Sequence, residues 1–225
     1  MHEQLTQSIE DYLKAIYEIT RGDYRASTTQ LAEYLDVTPA SITGMIQKLA
    51  ATDPPLVDYQ KHHGVSLTLQ GEKIALETIR HHRLLEMFLH QILGYPWDEV
   101  HEEADELEHV ISEQFEERLA VALGNPMHDP HGDPIPDFDL SIPDEPEMRL
   151  SDLRPSQQAT VKRVRDEDPA LLRYLSSLGV IPGSKIAATN YSEFDGNLSL
   201  NVGDNSSPVV LGPRITGQIY VEIKS

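Results

Sequence analysis

The chain of 225 residues is long enough to bury at least one good core, and two or three small domains are plausible. It contains no cysteine, which excludes disulfides, thiolate zinc sites and cysteine nucleophiles. No apolar run approaches the length of a membrane span, and the polar N-terminus does not resemble a signal peptide, so we expect a soluble cytoplasmic protein.

The net charge of −19 argues at first against a nucleic-acid partner, because phosphate contacts need Lys and Arg. The charge is unevenly distributed, however. Residues 1–75 carry 6 basic and 10 acidic side chains, residues 76–140 carry 3 and 16, and residues 141–225 carry 9 and 11. A dense anionic segment attracts cations, and a metal bound there would lower the charge that opposes DNA association. The distribution therefore favours a metal-responsive protein.

The first third of the chain predicts a winged helix. Residues 5–20 have the apolar spacing of an amphipathic helix, STTQLAEYLDV predicts a short capped helix, and Pro39 opens a further helix in ASITGMIQKLAAT. Two short helices joined by a tight turn form a helix-turn-helix. The segment LVDYQKHHGVSLTLQG adds two alternating strands around a polar tip, which predicts a wing. A helical hairpin used only for packing is the alternative.

On the winged-helix interpretation, the second helix of the pair contacts DNA. The residues expected to face the major groove are Thr38, Ala40, Ser41, Thr43 and Gly44. Those expected to reach phosphates are Gln47, Lys48, Lys61, His62 and His63. Arg and Asn, the best bidentate base readers, are missing from the start of this helix, so we expect methyl contacts and DNA shape to dominate the readout.

The middle of the chain predicts two long helices. The first, over residues 72–92, carries His82 and Glu86 at i, i+4, a spacing that can hold one ion from a single face. A structural histidine is the alternative. The second, over residues 98–123, has apolar positions that can pack on the first helix or on another subunit. Such a pair next to a winged helix suits a dimer, because operators are usually read by two-fold dimers.

The acidic segment HEEADELEH lies at the start of the second long helix. At helical spacing, Asp105, Glu108 and His109 fall at i, i+3 and i+4 on one face, and His101 lies one turn earlier. Two carboxylates and an imidazole together suit manganese, ferrous iron or zinc. The alternative is a solvated acidic face.

The fold class predicted from these patterns is mainly α with β. Residues 124–146 are rich in Pro, Gly and Asp and predict a linker or an extended ordered loop. Beyond them, one short helix and several short strands predict a small SH3-like β-barrel. We therefore predict a winged helix-turn-helix DNA-binding domain in 1–72, a helical dimerisation and metal-binding domain with the Pro-rich linker in 73–146, and the barrel in 147–225.

With these elements in place, the sequence resembles the diphtheria toxin repressor family of metal-dependent transcriptional regulators, in its three-domain form. The shared motifs are DYLKAIY in the first helix, HRLLE in the long helix, HxxxDxxEH from His101, and LLRYLSSLGVIPGSKI in the C-terminal domain, which is also called FeoA-like. The resemblance covers essentially the whole chain. It implies a repressor of metal-ion homeostasis genes that binds double-stranded operator DNA as a homodimer and has no small organic substrate.

The resemblance also implies an activating metal site, in which Asp11 of the first helix joins Asp105, Glu108 and His109. The iron-responsive branch has Met at the first of these positions and Cys at the second. Aspartate at both replaces soft sulfur by hard oxygen, which predicts manganese, with ferrous iron as the alternative and cobalt or zinc as substitutes in vitro. Lys14 departs from the small manganese regulators, which have a further carboxylate there, so the resemblance does not imply their closely spaced two-metal arrangement.

A second metal site is implied by the three-domain relatives. Its candidate ligands lie on the long helices, in the SH3-like domain and in the Pro-rich segment: His82, Glu86 and His101; Asp168 with its neighbour Glu167; Asp129 and His131. The first three match the helical ligands of those relatives, and the next two are candidates for a further oxygen. The last pair falls where some relatives have a Cys-Pro-His ligand pair.

The mechanism implied is linkage. A metal that bridges the first helix and the acidic helix fixes the winged-helix heads and sets the spacing of the two recognition helices. Two alternatives of another class are a metal-dependent hydrolase and a metal store or adaptor that does not bind DNA. The chain has no nucleophile motif and no substrate-sized α/β core, so we expect no enzymatic activity.

Overall fold

The computed structural model describes residues 6–20, 24–143, 148–165, 168–203 and 208–224. Internal contacts divide the chain into two compact units. The first consists of residues 1–82, 107–113 and 136–141, and the second of residues 83–106, 114–135 and 142–225.

The first unit contains the predicted helix-turn-helix. Its helices are α1 (Gln7–Thr20), α2 (Thr28–Tyr34) and α3 (Pro39–Ala50). The Ser27 hydroxyl accepts a hydrogen bond from the Gln30 amide in a capping box, and the Thr38 hydroxyl caps α3, so both helix starts follow from local sequence. Their apolar faces meet in one core, whose fully buried side chains include Leu13, Ile16, Leu31, Ile42, Ile46 and Leu49.

The wing follows directly, as strands β1 (Val57–Gln60) and β2 (Gly64–Leu67). They pair antiparallel from Val57 with Leu67 to Gln60 with Gly64. Ala26 forms a further bridge to Val65, through two backbone hydrogen bonds of 2.9 Å, and this fixes the wing to the segment before α2. The winged helix predicted from the sequence is thus the fold of this region.

The two long helices differ from the prediction. Helix α4 (Leu69–Gln91) begins three residues earlier than expected, where the Thr68 hydroxyl accepts a hydrogen bond from the Gly71 amide. The continuous acidic helix predicted over 98–123 is wrong, because the structure has α5 (Val100–Leu107) and α6 (Glu113–Ala122) with a turn between them.

The second unit contains the predicted SH3-like domain. Its six-stranded antiparallel sheet has the order β3-β8-β4-β5-β6-β7. The strands are β3 (Met148–Arg149), β4 (Gln158–Val164), β5 (Lys185–Tyr191), β6 (Leu198–Val202), β7 (Val209–Leu211) and β8 (Ile219–Ile223). Helix α7 (Pro169–Leu178) ends at Gly179, and a short α8 (Pro213–Thr216) precedes the last strand. The mainly α fold with a β-rich C-terminal domain is confirmed.

The described part of the Pro-rich segment, residues 124–143, is an ordered loop. Asp129, His131 and Asp133 are all buried, and His128 forms an isolated bridge to Pro134. Alternate residues of this loop therefore point into the second unit, although the sequence has the composition of a linker. No helix in the described ranges is long and apolar enough to cross a membrane.

Candidate metal clusters and DNA-binding surface

A first cluster of potential metal ligands lies wholly within the first unit. One ligand atom from each of Asp11, Glu108 and His109 falls within 4.8 Å of the others. The Asp11 carboxylate is 2.8 Å from His109 Nε2, and Glu108 Oε1 is 3.4 Å from the same nitrogen. Two carboxylates and an imidazole are a donor set that fits a divalent ion such as manganese, ferrous iron or zinc.

The backbone that presents these ligands is a turn. Glu108 and His109 follow the last residue of α5, so the predicted convergence of side chains on one helical face is wrong in its geometry. No Gly or Pro ends the helix. Instead, tertiary contacts hold the turn: the His81 ring lies 3.1 Å from the Glu108 carbonyl oxygen, and both side chains of the turn bind partners from α1.

Glu108 is held by two nitrogen groups. The Lys14 ammonium donates to both carboxylate oxygens, at 3.0 and 2.7 Å, and His82 Nδ1 lies 2.5 Å from Oε2. Burial by itself would raise the pKa of Glu108, but the hydrogen bond from His82 and the charges of Lys14 and His82 outweigh it and lower the pKa. Glu108 is therefore an ionised carboxylate in an almost fully buried position.

The His109 ring lies between two carboxylates of α1. Its Nδ1 is 2.6 Å from Glu10, while Nε2 faces Asp11. A ring whose Nδ1–H donates to Glu10 presents Nε2 to the cluster, which is the arrangement that orients metal-binding histidines. Burial, and to a smaller extent the charge of Glu108, raise the pKa of Asp11 against the opposing effect of His109. A nearby cation would therefore stabilise the ionised form of this carboxyl. Sequence reasoning missed Glu10, although it directly precedes Asp11.

A second cluster, hereafter the buried cluster, consists of Glu86, Asp129 and His131 in the second unit. Their ligand atoms also lie within 4.8 Å of one another, and both Glu86 and His131 are fully buried. His131 Nε2 lies 2.7 Å from the Trp97 carbonyl oxygen, a distance at which Nε2–H donates, so Nδ1 is the nitrogen that faces Glu86 at 3.7 Å. The donor set and the ring orientation both fit a divalent ion.

Electrostatic repulsion is concentrated in the buried cluster. Burial and the neighbouring charges of Glu86 and Asp133 raise the pKa of Asp129 well above its usual range, against the opposing charges of His131 and Arg83. Arg83 Nε is 3.7 Å from the Asp129 carboxylate, and Arg83 Nη2 is 3.6 Å from Asp133. Three carboxylates thus share this buried region, and a divalent cation would relieve their repulsion.

The remaining predicted ligands have mixed placements. His101 Nδ1 lies 3.2 Å from Glu86 Oε1, and its Nε2 lies 3.6 Å from Asp105, which is half exposed. Asp105 belongs to the second unit and His82 to the first, so their assignment to the activating and second sites stays a prediction. The Asp168 carboxylate accepts hydrogen bonds from the amides of the first turn of α7.

In the described ranges, no group of three or more potential ligands includes Asp168. Its assignment as a ligand also stays a prediction. Glu167, the neighbouring candidate, lies outside the described residues.

Proteins of known family are similar to this chain along most of its length. Family models match in order along the chain: the N-terminal DNA-binding domain of iron-dependent repressors over 4–65, their metal-binding and dimerisation domain over 68–137, and the FeoA domain over 148–223. The iron-dependent repressor IdeR of Mycobacterium tuberculosis is 32% identical over 195 residues, covering 81% of this chain and 84% of that protein. The chain belongs to the diphtheria toxin repressor family.

Solved structures of manganese regulators are also similar to it. A manganese-dependent transcriptional repressor in complex with manganese shares 40% identity at a TM-score of 0.86, covering 95% of this chain and 98% of that one. The manganese regulator SloR shares 34% identity at a TM-score of 0.78, covering 98% and 100%. The family resemblance predicted from the sequence is thus confirmed, and the protein is a divalent-metal-dependent transcriptional repressor.

In this family the winged helix is the DNA-binding element. The structure exposes nearly all of the predicted contact residues, and Thr43 alone among them is partly buried. The exposed set is Thr38, Ala40, Ser41, Gly44, Gln47, Lys48, Lys61, His62 and His63. The hydroxyls near the start of α3 also hold the helix, since Thr38 accepts from the Ser41 amide and Thr43 donates to the Pro39 carbonyl oxygen at 2.9 Å. Their roles in DNA contact stay predictions.

Gly44 offers a test of which side of α3 faces DNA. A Cβ at this position would meet no atom within 4 Å, so the fold does not require glycine here. We expect Gly44→Ala to stabilise the protein by about 0.5–1 kcal/mol, because Ala is the better helix former. The same methyl would obstruct close approach of DNA and weaken operator binding several-fold. Thermal unfolding and fluorescence anisotropy with labelled operator measure the two effects; a stabilised variant with unchanged affinity would place the contact elsewhere.

Proposed function

We propose that this repressor responds to manganese, and that the activating ion binds at Asp11, Glu108 and His109. The observation that carries the proposal is the first cluster itself, which offers oxygen and imidazole ligands and no sulfur. Hard oxygen ligands suit manganese better than the softer metals. The similarity to manganese-dependent repressors of known structure supports the same assignment.

The response to the ion would act through the first unit. Asp11 lies on α1, which packs in the core of the winged helix, while Glu108 and His109 lie on the turn after α5. An ion held by both segments fixes the DNA-binding head to the segment that leads into α6. In a dimer this sets the spacing of the two α3 helices for successive half-sites of an operator.

A homodimer agrees with the exposed apolar side chains of the predicted interface. Val110, Phe115 and Val121 are 74%, 45% and 69% exposed in the single chain. Large exposed apolar residues in a dimerisation domain are commonly covered by a second subunit. We propose that the homodimer acts in the cytoplasm on double-stranded operator DNA upstream of metal-ion homeostasis genes, and without catalysis.

The buried cluster is proposed as a second metal site, with Glu86, Asp129 and His131 as ligands and His101 beside Glu86. An ion there would supply positive charge to three carboxylates that now repel one another. The chain's own residues prepare the site, since the Trp97 carbonyl fixes the His131 ring and Arg83 holds two of the carboxylates.

Iron(II) is the competing activator, favoured by the similarity to an iron-dependent repressor. A metal titration of operator binding separates the two. Gel shifts with manganese, anaerobic ferrous iron, cobalt and zinc, each followed by chelator, are expected to show tight binding at the lowest free concentration of manganese. Activation by iron at lower free concentration than manganese would overturn the assignment, and no shift with any metal would contradict operator binding.

A further inference from the structure

We infer that the SH3-like domain sets the metal affinity of the buried cluster by clamping the loop that carries two of its ligands. The inference rests on the proposed second metal site. The ligand loop is defined as residues 129–133, and it belongs to the second unit together with Arg83, Glu86 and the SH3-like domain.

The ligand loop is first closed on itself. The Asp129 carboxylate accepts hydrogen bonds of 2.9 Å from the amides of His131 and Asp133, and the Asp129 amide donates to the Asp133 carbonyl oxygen at 3.0 Å. This tight turn fixes Asp129 relative to His131. It does not by itself fix the turn relative to Glu86, which lies on α4.

Strand β4 of the SH3-like domain supplies that second constraint through the backbone. The Val164 amide donates to the His131 carbonyl oxygen at 2.9 Å. Gly132 lies so close to the strand that a Cβ would be 1.9 Å from the Lys162 carbonyl oxygen, and its φ of +92° also disfavours any other residue. The loop therefore contacts the strand through main-chain atoms at two successive residues, His131 and Gly132.

The pairing of β4 with β8 is irregular at this contact. Its pairing with β8 shifts register between Val161 and Arg163, and after this bulge both Arg163 and Val164 are buried. A regular strand with one face on the core would expose one of the two. The bulge lets successive side chains be buried, and the ligand loop packs where the alternation is broken.

Arg163 extends the clamp to the side chains. Its Nη1 is 3.2 Å from the Asp133 carboxylate, and its guanidinium lies 3.9 Å from the centre of the Tyr220 ring. Arg83 of α4 approaches the same carboxylate and donates to the Pro134 carbonyl oxygen at 2.5 Å. Asp133 is thus shared between α4, which carries Glu86, and the SH3-like domain, so the domain holds the loop in place over the helix.

This arrangement assigns Gly132 and Arg163 the role of positioning residues, which act on the ion through Asp129 and His131. Partners that orient metal ligands typically change metal affinity by about 10–100-fold when they are removed. Loss of the clamp is therefore expected to weaken the buried site by that factor and to leave the first cluster, whose ligands lie in the other unit, unchanged.

The experiment uses the full chain and its single tryptophan. Trp97 stacks on His131 with ring centroids 5.7 Å apart, so manganese bound at the buried cluster is expected to quench its fluorescence. Counting bound ions per subunit then shows whether the first cluster is filled as well. Gly132→Ala is expected to raise the manganese concentration for quenching about 10–100-fold. Arg163→Met is expected to raise it in the same direction, and Arg163→Lys is expected to restore part of the loss.

The matched control is Gly183→Ala in the same domain, where φ is +87° but a Cβ meets no atom within 4 Å. This variant places alanine at a positive φ, as Gly132→Ala does, but without a Cβ close to neighbouring backbone atoms. We therefore expect quenching at the wild-type manganese concentration. Thermal unfolding without metal checks that each variant is folded, and Arg163→Met provides the test if Gly132→Ala is not. Wild-type quenching in the folded Gly132→Ala and Arg163→Met variants would overturn the inference about the clamp and leave the proposed second metal site unaffected. If the wild type shows no more quenching than His131→Ala, the proposed second site fails and the clamp fails with it.

Discussion

Replacing Asp11 by alanine is expected to abolish metal-dependent operator binding while the fold stays intact. The side chain is 39% exposed, so its loss removes little buried surface. It removes, however, the one carboxylate of the first cluster that belongs to the DNA-binding head and not to the turn after α5. The ion then has no proposed ligand on the head, and the coupling, typically 1–3 kcal/mol or about 5–150-fold in affinity, should disappear.

The measurement is operator affinity by fluorescence anisotropy with manganese and with chelator, for wild type and Asp11→Ala. Glu103→Ala is the matched control, because it removes one exposed acidic charge from α5 outside the clusters. The control should keep the full response to manganese. His109→Ala is expected to behave like Asp11→Ala. An unchanged manganese response in Asp11→Ala would contradict the proposed mechanism.

Local sequence was sufficient to predict the winged helix and the SH3-like domain. Their helix starts depend on nearby caps such as Ser27 and Thr38, and Gly179 ends α7 through its own backbone conformation. Strands such as β5 and β6 alternate between buried and more exposed residues over short spans. In such elements the residues that decide the structure are only a few positions apart.

The turn that holds Glu108 and His109 could not be predicted in this way. The segment has the composition of a continuous helix, and the contacts that hold the turn come from Lys14, His81 and Asp11, far away in the sequence. Asp11, Glu108 and His109 were nevertheless predicted to act together, because the residue types and their order suggested a metal site even though the assumed helical geometry was wrong. The structure brings the three together, and their role as ligands stays a prediction.

The loop of the buried cluster also depends on contacts that are distant in the sequence. The composition of the segment rich in Pro and Asp left a linker and an ordered loop both open, and the structure has the ordered loop. Asp133 and Gly132 are held by contacts with Arg83 and with β4, which lies some thirty residues further along the chain. The local sequence of the segment does not predict these partners. Glu86 was predicted as a ligand from its spacing to His82, and the structure also places it beside Asp129 and His131.

Lys14→Met is expected to increase manganese affinity at the first cluster and to decrease the stability of the metal-free protein. The ammonium forms two hydrogen bonds to Glu108 and lies 3.0 Å from His82 Nδ1, so it already occupies a cation position beside the proposed ion. A unit charge a few ångströms from a divalent ion costs on the order of kcal/mol even at an effective dielectric constant near 20. Because Lys14 retains some exposure, we expect roughly tenfold tighter binding.

Stability should change in the opposite direction. Without Lys14, the almost fully buried Glu108 keeps His82 but loses a charged donor, and hydrogen bonds to charged groups contribute about 1.5–3 kcal/mol. Metal-free Lys14→Met should therefore unfold at lower temperature than wild type and gain more on adding manganese. Calorimetric titration and thermal unfolding measure both effects, with Lys14→Arg as the control that keeps the charge. Weaker manganese binding in Lys14→Met would show instead that Lys14 orients Glu108 for the ion and does not compete with it.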